Sequence, residues 1–161
     1  MTAAASPALR PSTARRAIGW AGLLAGFLDI TAAAVLFGLK GKSPVYLLQA
    51  IAGGLLGMSS FQGGLATAAL GAFCHFLIAF TAAAVFYAAS RKLTFLVKHP
   101  VPFGLLYGAM VYSFMNLVVL PLSAYHATFT LWPIAVFARD LAIVMIMVGL
   151  PIALVVRKYS D

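Results

Sequence analysis

The chain has 161 residues, 63% of them hydrophobic and only 9% charged. Soluble domains carry about 25% charged residues, so this composition excludes a water-soluble globule and specifies an integral membrane protein. The net charge of +8 comes from 11 Lys and Arg against three acids. These cations flank the apolar runs in twos and threes, a placement that follows from topology and lipid headgroups rather than from nucleic-acid binding.

Residues 1–16 (MTAAASPALRPSTARR) lack apolar periodicity and are expected to form a disordered cytoplasmic tail, followed by a single transmembrane helical domain over 17–158. The first apolar run, Ala17 to Leu39, is long enough to cross a hydrocarbon core of about 30 Å. A cleaved signal peptide is the competing reading, but another membrane segment follows where a polar mature domain would begin. The GKS at 41–43 is not a P-loop, since Leu36 stands where the first motif glycine belongs. Instead Ser43 and Pro44 have the chemistry of an N-cap and a first helical residue.

Pro44 to Ser60 is apolar but short and is broken at Gly53-Gly54, as in a re-entrant or interfacial segment. The next runs are Gly64 to Ala89, Phe103 to Leu120 with a stop expected at Pro121, and Trp132-Pro133 to about Val156. With four spans and a re-entrant 44–60 segment, Arg10, Arg15, Arg16, Arg91, Lys92, Lys98, Arg157 and Lys158 lie inside and Lys40 and Lys42 outside. A five-span alternative with the N-terminus outside separates the charges less well. Both readings put the C-terminus in the cytoplasm.

Two of the acids, Asp29 and Asp140, fall inside apolar runs, where a carboxylate persists only if protonated, paired or wet. Asp29 shares a helix face with Gly22 and Gly26, and His75 shares one with Gly64, Ala68 and Gly71, so both are expected to face neighbouring helices. Asn116 lies on a stripe with Tyr112 and Ser113. Arg139 and Asp140 are adjacent and are expected to diverge around the helix. Arg139 and His75 are the candidate partners of Asp29. With Gln49 and Gln62 on the re-entrant segment, these positions outline a polar pocket opening outward.

Two acids facing one permanent cation form a titratable arrangement suited to binding or moving a small solute or a proton. Helix stapling by the same residues is the structural alternative. An enzyme is disfavoured because no nucleophile or metal set accompanies His75, and His99 and His126 fall in loops on opposite sides. Cys74 is the single cysteine, which excludes an intrachain disulfide and a thiolate metal cluster. No cofactor is expected. The pairs Gly22/Gly26, Gly53/Gly57 and Gly104/Gly108 fit close packing inside the bundle, or an oligomer interface.

The segments QAIAGGLLG (49–57), GGLATAALGAFCHFLIA (63–79) and YGAMVYSFMNLVVLPLS (107–123) resemble a family of small bacterial multi-pass inner-membrane proteins with no assigned activity. The resemblance spans Ala17 to about Ser123 and implies a bacterial inner-membrane location, with Gly53, Gly63, Gly64, His75 and Asn116 in its recurring segments. It implies no catalytic or binding role.

The expectation is therefore an all-α membrane bundle of four transmembrane helices plus a glycine-broken re-entrant or short helix. Its candidate binding residues are Asp29, His75, Asn116, Arg139 and Asp140, with Asp29 and His75 exchanging a proton.

Overall fold

A chain surrounded by hydrocarbon must satisfy its backbone polar groups within each segment, and the apolar runs accordingly become helices. The computed structural model describes residues 11–125 and 133–160. In chain order it contains α1 (Pro11–Leu39), α2 (Pro44–Leu56) with a 3-10 turn at Gly57–Gln62, and α3 (Gly64–Lys92). The short α4 (Phe95–Lys98) and α5 (Pro100–Phe114) follow, then a π turn at Met115–Val119 and α6 (Leu120–Leu122). The last part is α7 (Ile134–Val144), a π turn at Met145–Gly149 and α8 (Leu150–Lys158). Five stretches are long and apolar enough to cross a membrane, Pro44–Gln62 among them.

Packing separates that stretch from the other four. Gly22 of α1 lies against Phe80 of α3 and Gly26 against Phe76, so these two helices run antiparallel. The end of α1 and the start of α3 are therefore at the same face, and the intervening segment must leave and return there. Its own contacts agree. Tyr46 near its start lies 4.8 Å, ring to ring, from Phe61 near its end, and Gln49 Nε2 donates to the Gly64 carbonyl at 3.0 Å. The bundle thus has four spans and a re-entrant α2, with both described chain ends on one side.

Local chemistry explains why α2 stops short. Ser43 Oγ accepts from Tyr46 N at 3.1 Å and Pro44 opens the helix, as the sequence indicates. Gly57 then takes φ +62°, a left-handed backbone that only glycine adopts freely, and ends it. One carbonyl left over at this end is satisfied by the chain beyond α6, where Ala124 N donates to Gly54 O at 2.9 Å, and the Tyr125 hydroxyl adds a bond to Ala50 O one turn earlier at 3.0 Å. Gly53 is required here, because a methyl group would occupy the space of the Tyr125 ring and hydroxyl.

The core lies in the half of the bundle nearer the chain ends. Ala17, Ala21 and Ala25 of α1 are fully buried against Ala83 and Phe86 of α3 and Ile152, Ala153 and Val156 of α8. On the other side of α8, Gly104 and Gly108 of α5 meet Gly149 so closely that backbone touches backbone. The glycine pairs at 22/26 and 104/108 are thus both spent on packing within the bundle.

Three boundaries differ from expectation. The first helix begins at Pro11, inside the segment expected to be an irregular tail, while residues 1–10 lie outside the described part. The third span runs from Pro100 to Leu122 and passes through Pro121. Proline lacks an N–H and its ring presses on the carbonyl four residues earlier, and the helix relieves this by widening. Leu120 N reaches back five residues to Met115 O. The same device recurs before Pro151, where Leu150 N bonds Met145 O. Trp132, the expected interfacial anchor, lies outside the described residues, and Pro133 caps α7 from the position before its first residue.

Candidate functional site

Asp29, Ala33, Leu36 and Lys40 recur at spacings of four, three and four, so they fall on one face of α1. Across from this face stands α7 with Arg139, Asp140, Ile143 and Val144, and the two helices leave a cleft of about 200 Å³ between them. It lies in the half of the bundle away from the chain ends, since α1 is finishing and α7 beginning there. Phe37 completes the wall. Asp29, Arg139 and Asp140 are thus brought together as the sequence suggests.

The charges in the cleft are paired differently from expectation. Arg139 and Asp140, expected to diverge, grip each other: Arg139 Nε and Nη2 each lie 2.8 Å from Asp140 Oδ1. Two neighbouring Cα–Cβ bonds do diverge on a helix, but the arginine stem is long enough to swing its guanidinium back. Arg139 is therefore not the partner of Asp29. Among the described residues the Asp29 carboxylate makes no hydrogen bond and no ion pair.

His75 stands behind Asp29 and is not among the residues that wall the cleft. Its Nε2 lies 2.8 Å from the Gly26 carbonyl, one turn before Asp29, and within electrostatic reach of that carboxylate. A carbonyl can only accept, so Nε2 holds a proton and donates it. The His75 ring is fixed from the side by Phe76, edge-on at 5.4 Å.

Asn116 does not join the site. Its Nδ2 donates to the Tyr112 carbonyl of its own helix at 2.9 Å, the local back-bond that short polar side chains make when no partner is offered. Gln49 is buried but is used to fasten α2 to the start of α3, and Gln62 is exposed at the far end of the re-entrant turn. His99 is at the start of α5, at the chain-end side, and His126 lies outside the described residues. Among the described residues no group of three His, Cys, Asp or Glu side chains converges on a metal-sized site.

One contributor escaped the reading of the sequence. Lys40 lies in the turn just past the end of α1, yet it is eleven residues beyond Asp29 and so continues the same face, a signal that helical spacing does contain. Tyr112 of α5 stands edge-on to Phe137 of α7 at 5.5 Å, a contact that fastens these two helices behind the cleft without lining it. No spacing within one helix could have announced that contact.

The cleft can therefore offer one unpaired carboxylate at its base, a neutralised Arg–Asp pair on its wall and a lysine at its rim. That set suits the exchange of a proton or the holding of a small polar solute. Comparison with protein families, with curated proteins and with solved structures finds no match to this chain.

Proposed function

We propose that this protein binds a small solute, or passes a proton, through the cleft between α1 and α7, with Asp29 as the group that gains and loses the proton. The observation that supports this most directly is the Asp29 carboxylate, which lines the cleft without a hydrogen-bond or ion-pair partner among the described residues. A carboxylate kept in an apolar run at a cost of a few kcal/mol is a functional group by default. His75 sits behind it as the second proton site. The charge distribution supports both termini on the cytoplasmic side with the cleft facing outward, and the resemblance of residues 49–57, 63–79 and 107–123 supports a bacterial inner membrane.

The test is proton flux in proteoliposomes under an imposed potential, read with a trapped pH-sensitive dye, for the native chain and Asp29→Asn. Flux in the native chain and its loss in a variant of unchanged thermal stability would support the proposal. Equal flux in both would sink the role of Asp29.

A second reading is favoured by the His75–Gly26 bond, which joins α3 to α1 and needs no ligand. In it the protein is an accessory membrane subunit in which His75 staples α3 to α1. His75→Phe would then lower stability, and Asp29→Asn would leave both stability and flux unchanged.

A further inference from the structure

Near its start α1 uses its sides differently. Ala17, Ala21 and Ala25 are fully buried in the core, and Gly22 is pressed against Phe80 of α3. Arg15, Arg16, Gly19, Trp20 and Leu23 recur at spacings of three and four on a further side, where both arginines, Trp20 and Leu23 are exposed. Together with Phe80 these residues wall a hollow of about 370 Å³. Its floor is backbone, since a methyl group added at Gly19 would meet nothing within 4 Å. A glycine inside a helix is destabilising relative to alanine, and Gly22 and Gly26 offset this by letting α3 approach. Gly19 makes no such contact. What its missing side chain leaves is the hollow.

The walls of the hollow are layered by chemistry. Arg15 and Arg16 stand at its chain-end rim, Trp20 one turn deeper, and Leu23 with Phe80 beyond. From Arg16 to Leu23 is about 10 Å at 1.5 Å per residue. Guanidinium groups give phosphate paired N–H bonds, an indole ring settles at headgroup level, and leucine and phenylalanine offer only hydrocarbon. Cation, indole and hydrocarbon follow one another as the layers of a phospholipid leaflet do. Neither arginine is committed elsewhere. Among the described residues the ion pair is Arg139–Asp140, and Asp29 and Asp140 lie in the cleft on the other half of the bundle. The hollow thus sets unmatched positive charge directly over an apolar wall. A free phosphate would meet the rim alone, whereas an anion that carries a hydrocarbon chain meets both.

We propose that this hollow seats an anionic phospholipid of the leaflet at the chain-end side, its phosphate on Arg15 and Arg16, its glycerol against Gly19 and Trp20, and one acyl chain along Leu23 and Phe80. The site shares no residue with the α1–α7 cleft.

Native mass spectrometry of the detergent-purified full chain, titrated with dioleoylphosphatidylglycerol or dioleoylphosphatidylcholine, tests this. The native chain should retain phosphatidylglycerol with a preference on the order of 10- to 30-fold, as two interfacial cations imply. Arg15→Gln/Arg16→Gln should lose that preference. Arg91→Gln/Lys92→Gln removes the same charge outside the hollow and should keep it. Gly19→Phe fills the hollow, leaves every cation in place and should lose retention of phosphatidylglycerol; Gly19→Leu does the same with a smaller side chain, should the ring unsettle α1. Equal retention of the two lipids by the native chain would overturn the headgroup assignment. An equal fall in the two charge variants would reduce the effect to the general positive field and overturn the site, as would undiminished retention by both Gly19 variants. A dimer that Gly19→Phe abolishes would assign the hollow to a second copy instead.

Discussion

Tyr46 and Phe61 lie 4.8 Å apart, ring to ring, although they stand near opposite ends of a segment long and apolar enough to cross a membrane. A straight crossing would separate them by more than 20 Å at 1.5 Å per residue. The contact therefore makes the segment a hairpin that returns to the face it left. Introduced into a Cys74→Ala background, Lys42→Cys and Gln62→Cys should both react with a membrane-impermeant maleimide from the same side. Lys98→Cys should react from the other. Labelling of Lys42→Cys and Gln62→Cys from opposite faces would restore a fifth span.

The bond from His75 to the Gly26 carbonyl joins α3 to α1 at the level of the cleft. Interhelical hydrogen bonds in membranes contribute about 0.6 kcal/mol on average and up to about 1.7. His75→Phe keeps the ring volume and removes the donor, so it should lower unfolding stability in detergent by about that amount. His75→Gln, which can still donate, should recover part of it. If both variants unfold with the native chain, the bond does not hold these helices together.

How much of this was legible in the sequence depends on whether the signal lay within one helix or between two. Helical spacing placed Asp29 near the Gly22/Gly26 face and His75 on the Gly71 face; Gly71 itself packs on α2, and it is His75 that reaches α1, at the Gly26 carbonyl. The same spacing held Lys40, eleven residues from Asp29. By contrast, the pairing of Arg139 with Asp140 depends on how an arginine stem bends, and the inward turn of Asn116 onto Tyr112 depends on the absence of a neighbour to bond. Neither is a matter of periodicity. Pro121 misled for a related reason: a proline breaks the pattern of bonds at one turn, but the helix passes it by widening into a π turn instead of ending. Gly57, whose positive φ ends α2, was legible only as half of a packing motif.

Because Arg139 pairs with Asp140 and not with Asp29, the two pairings predict different double-mutant cycles. Both partners of the observed pair are partly exposed, 40% and 36% by side chain, so their coupling should stay below about 1 kcal/mol. The cycle of Arg139→Gln with Asp140→Asn should show that small coupling in thermal unfolding. The cycle of Arg139→Gln with Asp29→Asn should be additive within about 0.5 kcal/mol, as expected for groups that share no bond. Strong coupling in the second cycle would mean that Arg139 reaches across the cleft, and would remove the free carboxylate on which the proposed function stands.

Gly149 sits in the π turn before Pro151, where a methyl group would strike the Gly104 carbonyl and the Gly108 backbone. These obstacles are main chain, and main chain in a packed helix cannot swing aside as a side-chain tip can. Gly149→Ala must therefore push α5 away from α8, and overpacking of this kind costs about 1–3 kcal/mol, sometimes more. Gly149→Leu should leave no folded protein in detergent. Gly19 is the control, since a methyl group there meets nothing within 4 Å. Gly19→Ala should change stability by no more than about 1 kcal/mol, and in the favourable direction, as alanine loses less freedom in a helix. Equal unfolding temperatures for Gly149→Ala and Gly19→Ala would show that α5 and α8 are not in backbone contact.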